Sequence, residues 1–160
     1  MSRPERELAW VDQAQALFER TVMGLGEMGP GELSAPSKLP GWTRGHVVTH
    51  VARGAEGLCR LLAWARTGVE TPMYPSLEAR DADIEAGAGR GHAEQFDDLR
   101  RTAEAFAAAA RELSPQHWDV IVRIRHSSVP ASWIPWARTR ELWLHLVDLD
   151  AGVTLGSIPE

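Results

Sequence analysis

The 160-residue chain contains one cysteine, Cys59, so no disulfide can form within it. Such sparing use of sulfur fits a reducing compartment, and a cytoplasmic location is expected. No block of Lys and Arg occurs, and the formal charge is −5, from 17 basic and 22 acidic side chains. A nucleic-acid partner or an anionic membrane surface is therefore not expected. No uncharged apolar run approaches the ~20 residues of a membrane span. The opening "MSRPERELAW" has no apolar signal-peptide core. No H-E-x-x-H occurs, which removes the zincin arrangement. Internal repeats are also absent.

What remains is the balance of a soluble globular protein, 44% hydrophobic and 24% charged residues. The length fits one domain, residues 1–160, able to bury a core without metal or disulfide staples. Seven tryptophans supply large aromatic surface for core or pocket. Four segments carry helical periodicity. The first, about 3–28, repeats Leu8, Val11, Phe18, Val22 and Leu25. "GPGELSAPSKLPGW" then breaks the pattern, and Thr43 is placed to cap a second helix over 44–67. After it comes an irregular stretch with a short turn of helix near 76–86. A third helix spans about 92–113, and an alternating extended segment follows over 120–124. The fourth helix covers about 132–151, with Pro135 tolerable only in its first turn. The pattern predicts an all-α protein, an antiparallel four-helix bundle with long second and third connections. Connections of that length are often functional.

Two of these helices carry polar side chains on faces otherwise made for burial. On the second, with Val47 at zero, His50 falls near −60°, at the edge of the apolar arc, and His46 near −100°, on the shoulder. On the fourth, with Glu141 at zero, His145 lies near +40° and Asp148 near −20°, beside Ile134 and Ala137. Buried charge is costly unless it is paired or binds metal. One reading pairs Glu141 with Arg138 or His145 and leaves His50 as a hydrogen-bonded core histidine. The other joins His50, Glu141 and His145 into a set of two nitrogens and one oxygen, the donor count of an open zinc site. A di-iron centre is disfavoured, because it needs E-x-x-H on two helices. Cys59 falls on the far side of its helix from His50, as a small buried hydrophobe.

"LPGWTRGHVVTHVARGAEGLCRLLAWARTGVETPMY", "RDADIEAGAGR" and "WARTRELWLHLVDLDAG" resemble the N-terminal domain of mycothiol-dependent maleylpyruvate isomerases. These belong to the DinB-like superfamily of four-helix-bundle, thiol-dependent metalloenzymes. The likeness covers nearly the whole chain. Its most specific pieces are L-P-G-W-T followed by H-V, and R-E-x-W-x-H-x-V-D-L. The resemblance implies a divalent metal, usually zinc, held by one histidine of the second helix and by the Glu and His of the fourth. Those positions here are His50, directly before V-A-R, with Glu141 and His145. No role carries onto His46. The isomerases continue into a smaller domain that closes over the site; the chain here ends at Glu160, so that domain is expected to be absent.

The same resemblance implies mycothiol as thiol cosubstrate and a small unsaturated dicarboxylate, maleylpyruvate or a relative, as substrate. A metal-bound thiol is deprotonated, and the thiolate is the nucleophile. It would add to the cis double bond, and elimination after rotation would return the trans isomer. Arg80 and Arg90 lie in the matching segment and suit a carboxylate, with Arg80 preferred as the catalytic residue. Each has the alternative of a solvated surface Arg or a pair with Asp83 or Glu85. Asp148 is placed to hold the second nitrogen of His145. Trp42, Trp64 and Trp143 are available to wall a thiol pocket. Two other functions share these residues: S-transfer of the thiol to an electrophile, and a non-catalytic bundle that binds a thiol or metabolite.

Overall fold

Thr43 stops the chain from entering helix one residue early. Its extended backbone turns into the helix Arg44–Thr67, while its hydroxyl accepts the His46 N–H and its own N–H is taken by Nδ1 of His46. Two of the amide donors that a helix start leaves bare are thus satisfied reciprocally. The other end of this helix stops at Gly68, in the left-handed region at φ 74°, whose N–H reaches the Trp64 carbonyl. In this computed structural model, which describes residues 2–159, the α-helices are α1 (Glu5–Met28), α2 (Arg44–Thr67), α3 (Leu77–Ala88), α4 (His92–Arg111) and α5 (Ile134–Asp148).

The protein is mostly helical, with five α-helices among the described residues rather than the four expected. The added one is α3, where the sequence suggested a short turn over 76–86. Ser76 caps it by accepting the Ala79 N–H. The expected helix over 92–113 ends at Arg111. The last one, expected over 132–151, starts at Ile134 behind a 3-10 turn over Ala131–Trp133 and ends at Asp148. Pro135 does sit in its first turn. The alternating segment becomes the strand β1 (Ile121–Ile124), paired antiparallel with β2 (Ser127–Pro130) so that Val122 faces Val129. Only Val122 of this hairpin is fully buried, so it forms a flap on the helices and not a layer of its own.

The core is the meeting of apolar stripes. Phe18, Val22 and Leu25 come from α1, Val47, Val51, Leu61 and Leu62 from α2, Leu99 and Phe106 from α4, and Ile134, Leu142 and Leu146 from α5. Each such side chain, fully removed from water, contributes about 1.5–3 kcal/mol. The α2 helix is central: it packs on α3, α4 and α5, while α1 packs on α4 and α5. Contact between α2 and α3 depends on glycine. A β-carbon on Gly45 would overlap the Ala88 carbonyl oxygen, and one on Gly87 would overlap the Thr49 side chain. The close approach seats α3 against α2 and thereby carries Arg80 over the end of α2 that holds His50.

Candidate metal centre

His50 is 6% exposed and projects from α2 toward α5. Glu141 and His145, one turn apart on α5, meet it. Glu141 Oε2 lies 3.3 Å from His50 Nε2 and 3.2 Å from His145 Nε2. The imidazole centroids are 4.5 Å apart, with the rings nearly perpendicular. One donor atom from each of the three residues falls within 4.8 Å of the other two. Asp148, a turn further along, takes the second nitrogen of His145, Nδ1, at 3.0 Å.

The proton positions follow from these partners. Arginine can only donate, and Arg80 Nη2 stands 3.2 Å from His50 Nδ1. His50 Nδ1 is therefore the acceptor, and its Nε2 carries the hydrogen directed at Glu141. At His145 Asp148 takes the hydrogen on Nδ1, so Nε2 turns its lone pair to whatever lies between it and the Glu141 oxygen. Two acceptors 3.2 Å apart attract each other only through a positive charge between them, a proton or a metal ion. The donor set and its environment fit a divalent metal on that ground. Burial alone would raise the Glu141 carboxyl, but the hydrogen bonds from His145 and His50 outweigh it and hold it well below the usual carboxylate range. Burial pushes His50 down, toward the neutral form that a metal requires.

Around these residues lies an open cleft of about 490 Å³, whose walls include Leu39, Trp42, Arg80, Arg125, Arg140 and Leu144. Arg80 reaches it from α3. Its guanidinium pairs with Asp81 at 2.5 Å, not with Asp83 or Glu85, and stands over the Tyr74 ring at 6.0 Å. Burial pushes the Tyr74 hydroxyl up, so it stays protonated beside that cation.

The other expectations divide. His46, in the first turn of α2, accepts the N–H of the capping Thr43 and touches Glu85 of α3 at 3.1 Å, outside the donor cluster. Arg90 is exposed in the turn after α3 and does not line the cleft. Of the three tryptophans, Trp42 walls the cleft, its ring 5.5 Å from that of His50, whereas Trp64 and Trp143 pack against the core. Arg138 does not pair with Glu141. It is buried, donating to the Val51 carbonyl at 2.7 Å and to Gln15 at 3.1 Å, and burial lowers its pKa to about 10. Cys59 is half-buried against the core, with its thiol pushed up by burial. Arg125 and Arg140 escaped the sequence reading. Arg140 opens the R-E-x-W-x-H-x-V-D-L piece, directly before Glu141, without being given a role there, whereas Arg125 is delivered by a hairpin that forms only through its pairing.

Fold and site together define a helical protein that gathers two imidazoles and a carboxylate beneath a cation-lined cleft, a donor set used by divalent-metal proteins. The comparisons narrow this class. Residues 11–150 match the family model of the mycothiol maleylpyruvate isomerase N-terminal domain, and the chain belongs to that family. It is also similar to the crystal structure of the mycothiol-dependent maleylpyruvate isomerase, with a TM-score of 0.91 and 37% identity over 98% of this chain. The crystal structure of a histidine-to-alanine mutant of that isomerase matches with the same TM-score and 36% identity. The chain spans 64% of the length of each of these two structures. The comparison with curated proteins returns no match.

Proposed function

We propose that this chain is a divalent-metal and mycothiol-dependent cis-trans isomerase domain acting on maleylpyruvate or a similar small unsaturated dicarboxylate. The observation that carries the reading is the convergence of His50, Glu141 and His145 within 4.8 Å in a chain of this family. The helices α1, α2, α4 and α5 are read as a DinB-like antiparallel four-helix bundle, with α3 and the hairpin as elaborations of its long connections and 1–160 as one domain. His50, Glu141 and His145 would hold the metal, with zinc favoured by two imidazoles and one carboxylate. Once bound, the metal supplies the acidity that keeps a thiol as thiolate near neutral pH.

The protein's own groups divide the remaining work. For His50 to act as a donor through Nε2, its hydrogen must reside on Nδ1. That nitrogen then no longer accepts from Arg80, and the guanidinium is released into the cleft, where it takes a substrate carboxylate as a two-pronged donor. Asp148 keeps the His145 hydrogen on Nδ1 and the ring in place. Trp42 and the leucines of the cleft present apolar surface to the bound thiol and substrate. The thiolate sulfur adds to the cis double bond, the new single bond turns, and the sulfur leaves as the trans bond forms. No atom is gained or lost, and Cys59 takes no part.

The test is elemental analysis of the purified protein, followed by assay of fumarylpyruvate formation from maleylpyruvate with mycothiol, before and after chelation. Product that requires both metal and mycothiol supports the reading. A stable thioether with a generic electrophile, and no isomerisation, would reassign the chain to S-transfer. A protein that takes up no divalent metal would refute both.

A further inference from the structure

Three guanidinium groups line the cleft, from three different elements: Arg80 on α3, Arg125 at the turn of the hairpin and Arg140 on α5. Their situations differ. Arg80 is held by Asp81 and His50. The two carboxylates of the cleft, Glu141 and Asp148, are both engaged by histidines. Arg125 and Arg140 are left with no carboxylate partner among the described residues. Arg140 is exposed but has an aromatic neighbour. Its guanidinium stands over the Trp136 ring at 6.0 Å, and Trp136 is set edge-on to Trp133 at 5.6 Å. Both indoles are about half exposed, at 45% and 52%, so their faces are open to a cation. A cation–π contact at that distance biases the guanidinium toward the cleft wall and leaves its N–H groups free to donate. Arg125 holds φ 54°, a backbone region that side chains seldom adopt, at the tip of a two-stranded hairpin. It is one of only two non-glycine residues in that region among those described.

Unpaired cations at the mouth of a cleft draw anions into it. We propose that Arg125 and Arg140 form a second carboxylate subsite, distinct from Arg80, which takes the far carboxylate of a two-carboxylate electrophile. The inference rests on the isomerase reading for the identity of the electrophile, and it makes these two arginines the determinants of substrate class. A molecule with one carboxylate engages Arg80 alone. A molecule with two is held at both ends, and its orientation in the cleft is fixed by which end meets the Arg140 guanidinium.

The experiment uses the metal-loaded protein with succinate and butyrate as unreactive probes, their binding measured by calorimetry. The variants are Arg125→Gln with Arg140→Gln together, and Arg140→Lys alone. The parent is expected to bind succinate about tenfold or more tighter than butyrate, the worth of one additional charge-assisted pair. In the double variant that preference should fall to near unity, with metal content, mycothiol affinity and the far-UV CD spectrum unchanged. Arg140→Lys, which keeps the charge but loses the fork, should lie between. A preference that survives the double substitution, or a parent with none, overturns the subsite. Maleylpyruvate isomerisation by the parent is measured in parallel. If it is absent while the preference and its loss both hold, the subsite stands and the isomerase reading falls; if it is present while the preference survives, the reverse.

Discussion

Asp148 touches no cleft ligand in the proposed mechanism, yet its removal should be felt at the metal. The carboxylate takes Nδ1–H of His145 at 3.0 Å from one turn further along the same helix. That bond fixes the hydrogen on Nδ1, holds the ring against rotation and raises the electron density at Nε2. In Asp148→Ala the imidazole is free to carry its hydrogen on either nitrogen and to turn about its side-chain bonds. Loss of such a support lowers metal affinity by about 10–100-fold, or roughly 1.4–2.7 kcal/mol. The Asp148 side chain is 22% exposed, which argues for the lower half of that range. Asp148→Asn keeps an oxygen that can accept from Nδ1 and loses only the charge, so its cost should be the smaller. The assay is competition for Zn²⁺ against a chromophoric chelator. Helix geometry is internally controlled, because the Lys38 N–H is bound by the backbone carbonyl of Asp148, which neither substitution removes. Equal affinities for parent and Asp148→Ala, within about twofold, would refute the argument that this carboxylate prepares the ligand. A larger loss in Asn than in Ala would mean that the amide nitrogen has turned toward His145 and that charge was not the operative property.

His50→Ala, Glu141→Ala and His145→Ala should each abolish stoichiometric metal uptake, whereas His46→Ala should retain the metal and lose about 0.5–1.5 kcal/mol of stability with the side-chain acceptor of the Thr43 N–H; elemental analysis and urea titration separate the two outcomes, and metal loss in His46→Ala would place the wrong histidine in the cluster. Folded-state values below the unfolded ones at both His50 and Glu141 mean that their contribution to the metal-free fold is fully present above about pH 6.5 and about pH 4.5 respectively, and is lost as pH falls through the folded values. Urea midpoints of the metal-free protein should therefore decline from pH 7 toward pH 4, and midpoints that rise over that interval would contradict the assigned shifts. Gly45→Ala should cost about 1–3 kcal/mol, because its new methyl group meets a backbone carbonyl of α3 that has no side-chain freedom to yield; an unchanged thermal midpoint would show that α3 is not clamped to α2 as described.

Chemistry was legible in the sequence where it depended on rotation about one helix, and contact between elements was legible only where inward-facing residues and the family resemblance pointed to it, as for His50 with Glu141 and His145. The bounds of α2 follow from Thr43 and Gly68, local signals at each end. Glu141, His145 and Asp148 share a face because helical rotation alone puts them there. By contrast, α3 has almost no apolar stripe to read: Ile84, Gly87 and Ala88 are its only buried residues, and it is held by the close approach of backbones at Gly45 and Gly87. The hairpin was half visible, since β1 alternates while its partner "SSVP" is short, polar and exposed. Arg138 shows the limit most plainly. Spacing offered it to Glu141, but it is the core, through the Val51 carbonyl and Gln15, that takes its donors. Glu141 still lies close enough to favour the charged form of this guanidinium against the cost of its burial. The carboxylate itself is held ionised by the imidazoles at the cleft. Glu141 kept ionised between two imidazoles is the form in which a carboxylate can serve as a metal donor, which the proposed site requires.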